Sequence, residues 1–319
     1  MTGALEVLRP GPFTTVQDPG RFGYLRYGVP PSGPMDPFAL EAGNLLVGNP
    51  RDAAALEVAL GACVLRFPEN AEVAVTGADL EARLEGRPAP SWECFPVLPG
   101  QTLSFGRARR GVWAYLAVAG GILVAPVMGS RATYTRARLG GHGGRTLARG
   151  DLLRIGRPPA RSPSGRGTLG SGGPPTYARD VEVRVILGPD LDRFTEEAVR
   201  VFLSEVYRVT PRSDRMGYRL EGPPLRLRSG ADIRTDAVAR GTIQVASDGK
   251  PIVLLADRPA TGGYARIATV IAADVWKVAQ LPAGGSVSFL SVEIEEAQAE
   301  AGRAEARLAA LEKTAPAGC

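Results

Sequence analysis

At 319 residues the chain is about twice the ~150-residue length of a typical domain, so two domains with sizeable cores are expected. Hydrophobic residues make up 44% and charged residues 22%, as in ordinary globular proteins, but 40 Gly and 27 Pro favour turn-rich β structure over a helix bundle. The net charge of +5 is almost all arginine scattered among acids, with lysine only at Lys250, Lys277 and Lys313, which argues against a phosphate-tracking groove and a nucleic-acid partner. Three widely spaced cysteines, Cys63, Cys94 and Cys319, argue against a disulfide scaffold or a zinc site, and no metal is expected on the chain. No basic leader and no ~18-residue apolar run is present, so a cytoplasmic protein with no membrane partner is expected.

In chain order, "EVLRPGPFTTVQDPGRFGY" runs through a strand, a Gly/Pro turn, a Thr-containing entry and an acid to Arg21-Phe22-Gly23-Tyr24. A helix follows: Asp36 is its N-cap, Pro37 its first residue, and Phe38, Ala42, Leu45 and Leu46 form one apolar stripe ending at Gly48-Asn49-Pro50. Next come short alternating segments, "ALEVAL", "CVLRF", "EVAVTG", "TLSFG" and "VWAYLAVAGG", with the texture of a β meander. Residues 158–178, rich in Pro, Gly and Ser, read as an exposed connector between a first domain (1–157) and a second (179–291). The second repeats the β texture in "VEVRVIL", "LRLRSG", "GTIQVAS", "PIVLLAD" and "SVSFLSVEI", with amphipathic helices predicted in "DLDRFTEEAVRVFLSEV" and "AADVWKVAQL". Residues 292–319 form a helical tail with a narrow apolar face of Ala297, Ala301, Ala304, Leu308 and Leu311, suited to the surface or to a partner.

The halves echo one another. Arg21-Phe22-Gly23-Tyr24 is shadowed by Arg215-Met216-Gly217-Tyr218, and "LAVAGGILVAPVMGSR" by "VLLADRPATGGYARIATV", the pattern of an internal duplication. In both copies a tight glycine turn is expected to aim the arginine while the tyrosine packs behind it.

Candidate chemistry is sparse in histidine. His142 is the only one, lies in the glycine loop "RLGGHGGRTLARGD" and has no nucleophile elbow to serve, which disfavours a hydrolase triad. With Arg131, Arg136, Arg138 and Arg145 that loop could wrap an anion. "SDGKP" lacks the upstream glycine of a P-loop, having Gln244 there, and places Pro251 where Ser or Thr should bind magnesium, so it reads as a hairpin turn. In the second half polar residues gather at strand ends: Ser213, Asp214 and Arg215; Gln244 and Asp248; Asp257 and Arg258; Thr261, Gly262 and Gly263. Buried charges need partners, so these groups either pair with each other or await a ligand.

The long segments "TTVQDPGRFGYLRYGVPPSGPMDPFALEAGNLLVGN", "GSRATYTRARLGGHGGRTLARGD", "TPRSDRMGYRLEG" and "GTIQVASDGKPIVLLADRPATGGYARIATVIAADVWKVAQL" closely resemble the allophanate hydrolase subunit 2 family. That family is also described as the C subunit of 5-oxoprolinase, as the antagonist of the sporulation kinase-A inhibitor, and as biotin-dependent carboxyltransferase-like. The resemblance covers all but the connector and the tail. It implies a mainly β fold of two related cyclophilin-like β-barrel domains, with a few short helices and a C-terminal helix. It implies two partners in a 5-oxoprolinase complex, a B subunit similar to the kinase-A inhibitor and an A subunit. Together these would open 5-oxoproline to glutamate, with ATP and magnesium brought through the complex. The resemblance also implies kinship to the carboxyltransferase domain of urea carboxylase.

On that footing Arg215 and Arg131 are expected to hold an anion, with Asp214 and Asp257 orienting or acting as general base. Gln244, Thr261, Gly262, Gly263, Ser213, Arg145 and His142 are expected to bind substrate, and Asp18, Arg21, Ser32 and Asp36 are the counterparts in the first half. Two other readings are a carboxyltransferase component of a biotin-dependent carboxylase and a non-catalytic antagonist that binds a kinase-inhibitor-like protein. No lysine lies between methionines, so biotin is not attached to this chain and a carrier would come from another.

Overall fold

The computed structural model describes residues 3–158 and 173–314; most of the expected connector, residues 159–172, and the last five residues lie outside the described residues. Contacts divide the chain into two units, one of Met1–Arg21, Ser32–Tyr177 and Glu305–Cys319, the other of Phe22–Pro31 and Ala178–Ala304. Both are mainly β.

In the first unit two antiparallel sheets enclose one core. One sheet has five strands in the order Phe13–Gln17, Ala55–Ala59, Arg110–Val118, Ala71–Asp79 and Cys94–Val97. The other has seven, ordered Ile122–Leu123, Leu152–Ile155, Ala4–Pro10, Cys63–Arg66, Thr102–Ser104, Arg83–Leu84 and Arg87–Pro88. Strand Arg110–Val118 is buried at every residue after the first, although an antiparallel strand commonly wets one face. Ala114, Leu116 and Val118 join the core, while helix α1 (Pro37–Leu46) covers the strand's other face. Gly43 permits that close approach: a Cβ there would stand 2.9 Å from Thr76 Oγ1, and the Thr76 hydroxyl donates to the Ala39 carbonyl at 2.6 Å. Helix α1 starts where its sequence signals place it, with Asp36 Oδ1 accepting from Ala39 N at 3.1 Å and Pro37 in the first turn.

The second unit contains a closed barrel of seven strands, Asp180–Leu187, Arg266–Val270, Thr242–Val245, Pro251–Leu254, Gly217–Glu221, Tyr207–Val209 and Ser286–Ser291. Parallel pairing of the last with the first closes it. Helix α2 (Glu196–Ser204) is capped by Thr195 and stacks Phe202 on Phe289 with ring centroids 4.4 Å apart. The segment ahead of that cap forms a single 3-10 turn, so the helix is shorter than "DLDRFTEEAVRVFLSEV" implied. Helix α3 (Val275–Ala279) is also short. The expected strand "LRLRSG" is not one. Pro223 and Pro224 offer no N–H to a ladder, and the segment is held instead by a bridge of Leu227 to Phe194 and by Arg228 Nε donating to the Phe194 carbonyl at 2.8 Å. Outside the barrel, Asp232–Ala237 and Thr261–Tyr264 form a two-stranded ribbon.

Helix α4 (Ile294–Thr314) begins in the second unit and ends in the first. Its burial falls on Leu308 and Leu311, 6% and 4% exposed, and not on the alanine face. Arg51 pairs there with Glu305 at 2.6 Å and Glu312 at 3.0 Å, and Arg307 lies 4.7 Å over the Phe38 ring.

Candidate functional site

In the first unit the four motif residues are buried and organise backbone. Asp18 accepts from Gly20 N at 3.0 Å, from Ser130 Oγ at 2.6 Å, and from the amides of Arg131 and Ala132, so one carboxylate binds the Gln17–Gly20 turn to the Ser130–Ala132 segment. Arg21, 1% exposed, donates to the Ala132 carbonyl, and a Cβ on Gly140 would fall 2.5 Å from its Nη2. Ser32, held at φ 58°, donates to the Thr133 carbonyl at 3.1 Å. Asp36 caps α1 and accepts from the Tyr177 hydroxyl at 2.9 Å.

Sequence reading missed the rest of that polar network. The Tyr115 hydroxyl donates to Glu57 at 2.7 Å and accepts from Asp36 N at 2.8 Å, while Met35 N donates to the same Glu57 carboxylate. Burial and the facing carboxylates push both the Tyr115 and Tyr177 phenols well above their ordinary range, which makes them permanent donors. The available signal was an acid inside "ALEVAL" and a tyrosine inside "VWAYLAV".

The glycine loop does not gather arginines around an empty centre as expected. Arg145 grips Asp151 with both terminal nitrogens, at 2.7 and 2.8 Å, and His142 Nε2 lies 3.5 Å from the same carboxylate. The Arg145 guanidinium holds the Asp151 carboxyl down at about 2, so Arg145 is already matched by a charge of the protein. Arg131 points elsewhere: its Nε donates to the Val124 carbonyl at 3.1 Å, and it lines a cavity of about 380 Å³ with Asn49, Gly120, Gly121 and Arg157.

In the second unit Arg215 and Asp257 form a bidentate pair, Nε to Oδ2 at 2.9 Å and Nη2 to Oδ1 at 3.1 Å, at 5% and 4% exposure. Asp257 N also donates to the Arg215 carbonyl, so the two segments are joined twice. Asp214 is exposed and accepts from Met216 N at 2.8 Å, closing a local turn; Ser213 Oγ accepts from Arg219 N at 3.1 Å. The duplicated motif therefore keeps its buried arginine but not its left-handed glycine. Gly23 has φ 91°, whereas Gly217 begins a strand, where a Cβ would meet the Val253 carbonyl at 2.9 Å. Tyr218 is buried and donates to the Ala279 carbonyl at 2.7 Å, while Tyr24 is half-buried.

The base of the ribbon collects the remaining groups. Gln244, 5% exposed, donates from Nε2 to the Tyr264 carbonyl at 3.1 Å and packs against Gly262 so closely that a Cβ there would fall 2.3 Å from Nε2. Thr261 is exposed beside it, and a Cβ on Gly263 would make only ordinary contact, 3.7 Å from Thr235 Oγ1. Arg258, 7% exposed, also sits here, with Nε donating to the Val238 carbonyl at 3.1 Å. Among the described residues no carboxylate pairs with it, and burial alone pushes its guanidinium below the usual range.

"SDGKP" is the turn of the hairpin joining Thr242–Val245 to Pro251–Leu254 and leads into a strand, so the N–H cradle and helix of a phosphate loop are not built there. Lys250 is paired with Glu221 at 2.6 Å and Lys277 with Asp274 at 2.8 Å.

The sequence profile of the carboxyltransferase domain, subdomains A and B, matches residues 27–291. The chain is 38% identical to the C subunit of 5-oxoprolinase from Escherichia coli (strain K12) over 293 residues, covering 92% of this chain and 93% of that one. It is 34% identical to urea amidolyase of Saccharomyces cerevisiae over 92% of this chain but only 17% of that protein. Among solved structures, the Kluyveromyces lactis urea carboxylase superimposes with a TM-score of 0.91 at 32% identity, over 98% of this chain and 29% of that one.

Proposed function

The chain belongs to the carboxyltransferase-domain family together with the 5-oxoprolinase C subunit, and from that premise we propose that it is the C subunit of an ATP-dependent complex that opens 5-oxo-L-proline to L-glutamate. The observation that carries this reading is the extent of the match, 92% of this chain and 93% of the Escherichia coli subunit. The chain corresponds to nearly all of a protein named as a separate subunit, whereas in urea amidolyase it corresponds to a fraction of one long chain. Its partners in this reading are a kinase-inhibitor-like B subunit and an A subunit.

Opening the lactam adds water to its carbonyl carbon, breaks the ring C–N bond and leaves the nitrogen as an amine. The protein must polarise a resonance-stabilised amide and hold the charge that develops on oxygen. Gln244 and Thr261 are assigned to substrate hydrogen bonding, with Gly262 and Gly263 admitting it close to backbone. Asp257, held in place by Arg215, and Asp214 are assigned to orientation and proton handling, and Arg131 to an anion. ATP with magnesium is assigned to a partner, because the one sequence segment resembling a phosphate loop here is a hairpin.

The test is ATP-dependent glutamate formation by the three purified proteins of the complex. The full set is expected to be active and the set lacking this chain inactive; undiminished activity without it overturns the reading. The likeness to urea carboxylase supports a second reading, carboxyl transfer from biotin carried on another chain. It expects carboxylation of an amide or urea that avidin blocks.

A further inference from the structure

Arg258 is a buried charge of the second unit with no carboxylate beside it among the described residues. An arginine left only 7% exposed should be paired, because a buried charge without a counter-charge is costly. The comparison within the same unit is direct. Arg184 has Asp274 at 2.8 Å and Glu300 at 2.7 Å, Arg215 has Asp257 at 2.9 Å, and Arg266 has Asp190 at 2.7 Å and Asp236 at 2.9 Å. Among the described residues the Arg258 side chain has one carbonyl. That carbonyl belongs to Val238, whose own N–H donates to the Ala260 carbonyl, so the guanidinium is fixed at the foot of the ribbon by the backbone on both sides of it. Its terminal nitrogens are not among the sealed, partnerless side-chain atoms found in the described residues, so they keep some access to an incoming group.

The surroundings fit a small acid. Gln244 reaches the same ribbon through Gly262 and Tyr264, supplying an amide beside a glycine step. A planar, five-donor guanidinium matches a carboxylate in bidentate fashion and is a poor partner for a neutral amide or urea. We propose that Arg258 is the anion-recognition residue of the second unit, receiving the carboxylate of a small-molecule acid at the base of the ribbon. Resting on the reading above, that carboxylate is the one 5-oxoproline bears beside its lactam, and Arg258 sets the preference for the acid over its uncharged amide.

Two measurements test this. In the first, the purified full-length chain is melted with 5-oxoproline and with 5-oxoprolinamide. The acid is expected to raise Tm and the amide not to; Arg258→Gln should abolish the response, and without ligand it should melt at or above the wild-type temperature because a costly buried charge is gone. A wild type that ignores the acid, or an Arg258→Gln chain that still responds to it, overturns the proposal. So does a clear loss of stability in both Arg258→Gln and Arg258→Met, which would make the residue structural. In the second, the reconstituted complex is assayed for ring opening of both compounds. Arg258→Gln is expected to raise KM for the acid about 10- to 100-fold while leaving the amide unchanged. An unchanged acid-to-amide preference overturns the proposal while the place of this chain in the complex stands. Ring opening that does not need this chain removes it from the complex, while the Tm response to the acid still decides the fate of Arg258.

Discussion

At the level of single residues, some of the charges that drew attention in the sequence turn out to be paired, Arg145 with Asp151 and Arg215 with Asp257. Arg145 lowers Asp151 to about 2 from an ordinary 3.8, so this pair adds stability that is complete above pH ~4 and lost as pH falls toward 2. Arg145→Ala should return the Asp151 titration toward 4 in carboxyl-resolved NMR and flatten that acid-side loss. Arg215 and Asp257 make a stronger case, being nearly sealed from solvent. Arg215→Ala strands a buried carboxylate and is expected to cost about 3–5 kcal/mol in urea melts, whereas Arg215→Met with Asp257→Leu should cost much less. A loss of activity in the single variant would therefore not by itself assign Arg215 to chemistry. The sequence made the residue types legible but not their partners, because Asp257 lies 42 positions from Arg215 and only the barrel brings them together. Arg258 shows the converse. Written beside Asp257 it reads as half of a local pair, yet Asp257 is taken by Arg215.

At the level of elements, legibility follows locality. Helix α1 was readable to its first residue because its cap, its proline and its stripe are all within eleven positions. Strands with alternating burial, such as Asp180–Leu187, were readable for the same reason. The ribbon was not: Asp232–Ala237 is polar and mostly exposed, so it carries no alternation, and its pairing with Thr261–Tyr264 spans a hairpin of the barrel. The tail was half legible. Its helix was evident, but burial depends on two leucines at its end and not on the alanines. Leu308→Ala and Leu311→Ala should each lower stability by about 2 kcal/mol or more, while Arg51→Ala, which removes ion pairs to the exposed acids Glu305 and Glu312, should cost under about 1 kcal/mol in the same chemical melts. The reverse order would mean that charge, not burial, seats the helix.

At the level of the whole molecule, contacts divide the chain into two units, each mainly β, but the chain does not visit them one after the other. Phe22–Pro31 belongs with the second unit although it is written inside the first, and Glu305–Cys319 belongs with the first although it follows the second. Pieces made by cutting the chain between 158 and 178 would each lack a segment they need. Residues 1–158 and 179–319 expressed apart should be markedly less soluble and less protected in hydrogen exchange than when co-expressed; two independently well-folded fragments would contradict this. The same criss-crossing bears on inheritance. A gene rearrangement that breaks such a chain anywhere inside severs something a partner region relies on, so the stretch is expected to travel between genes as one uncut cassette. In the yeast amidolyase, 92% of this chain is matched within a protein of which that match is only 17%.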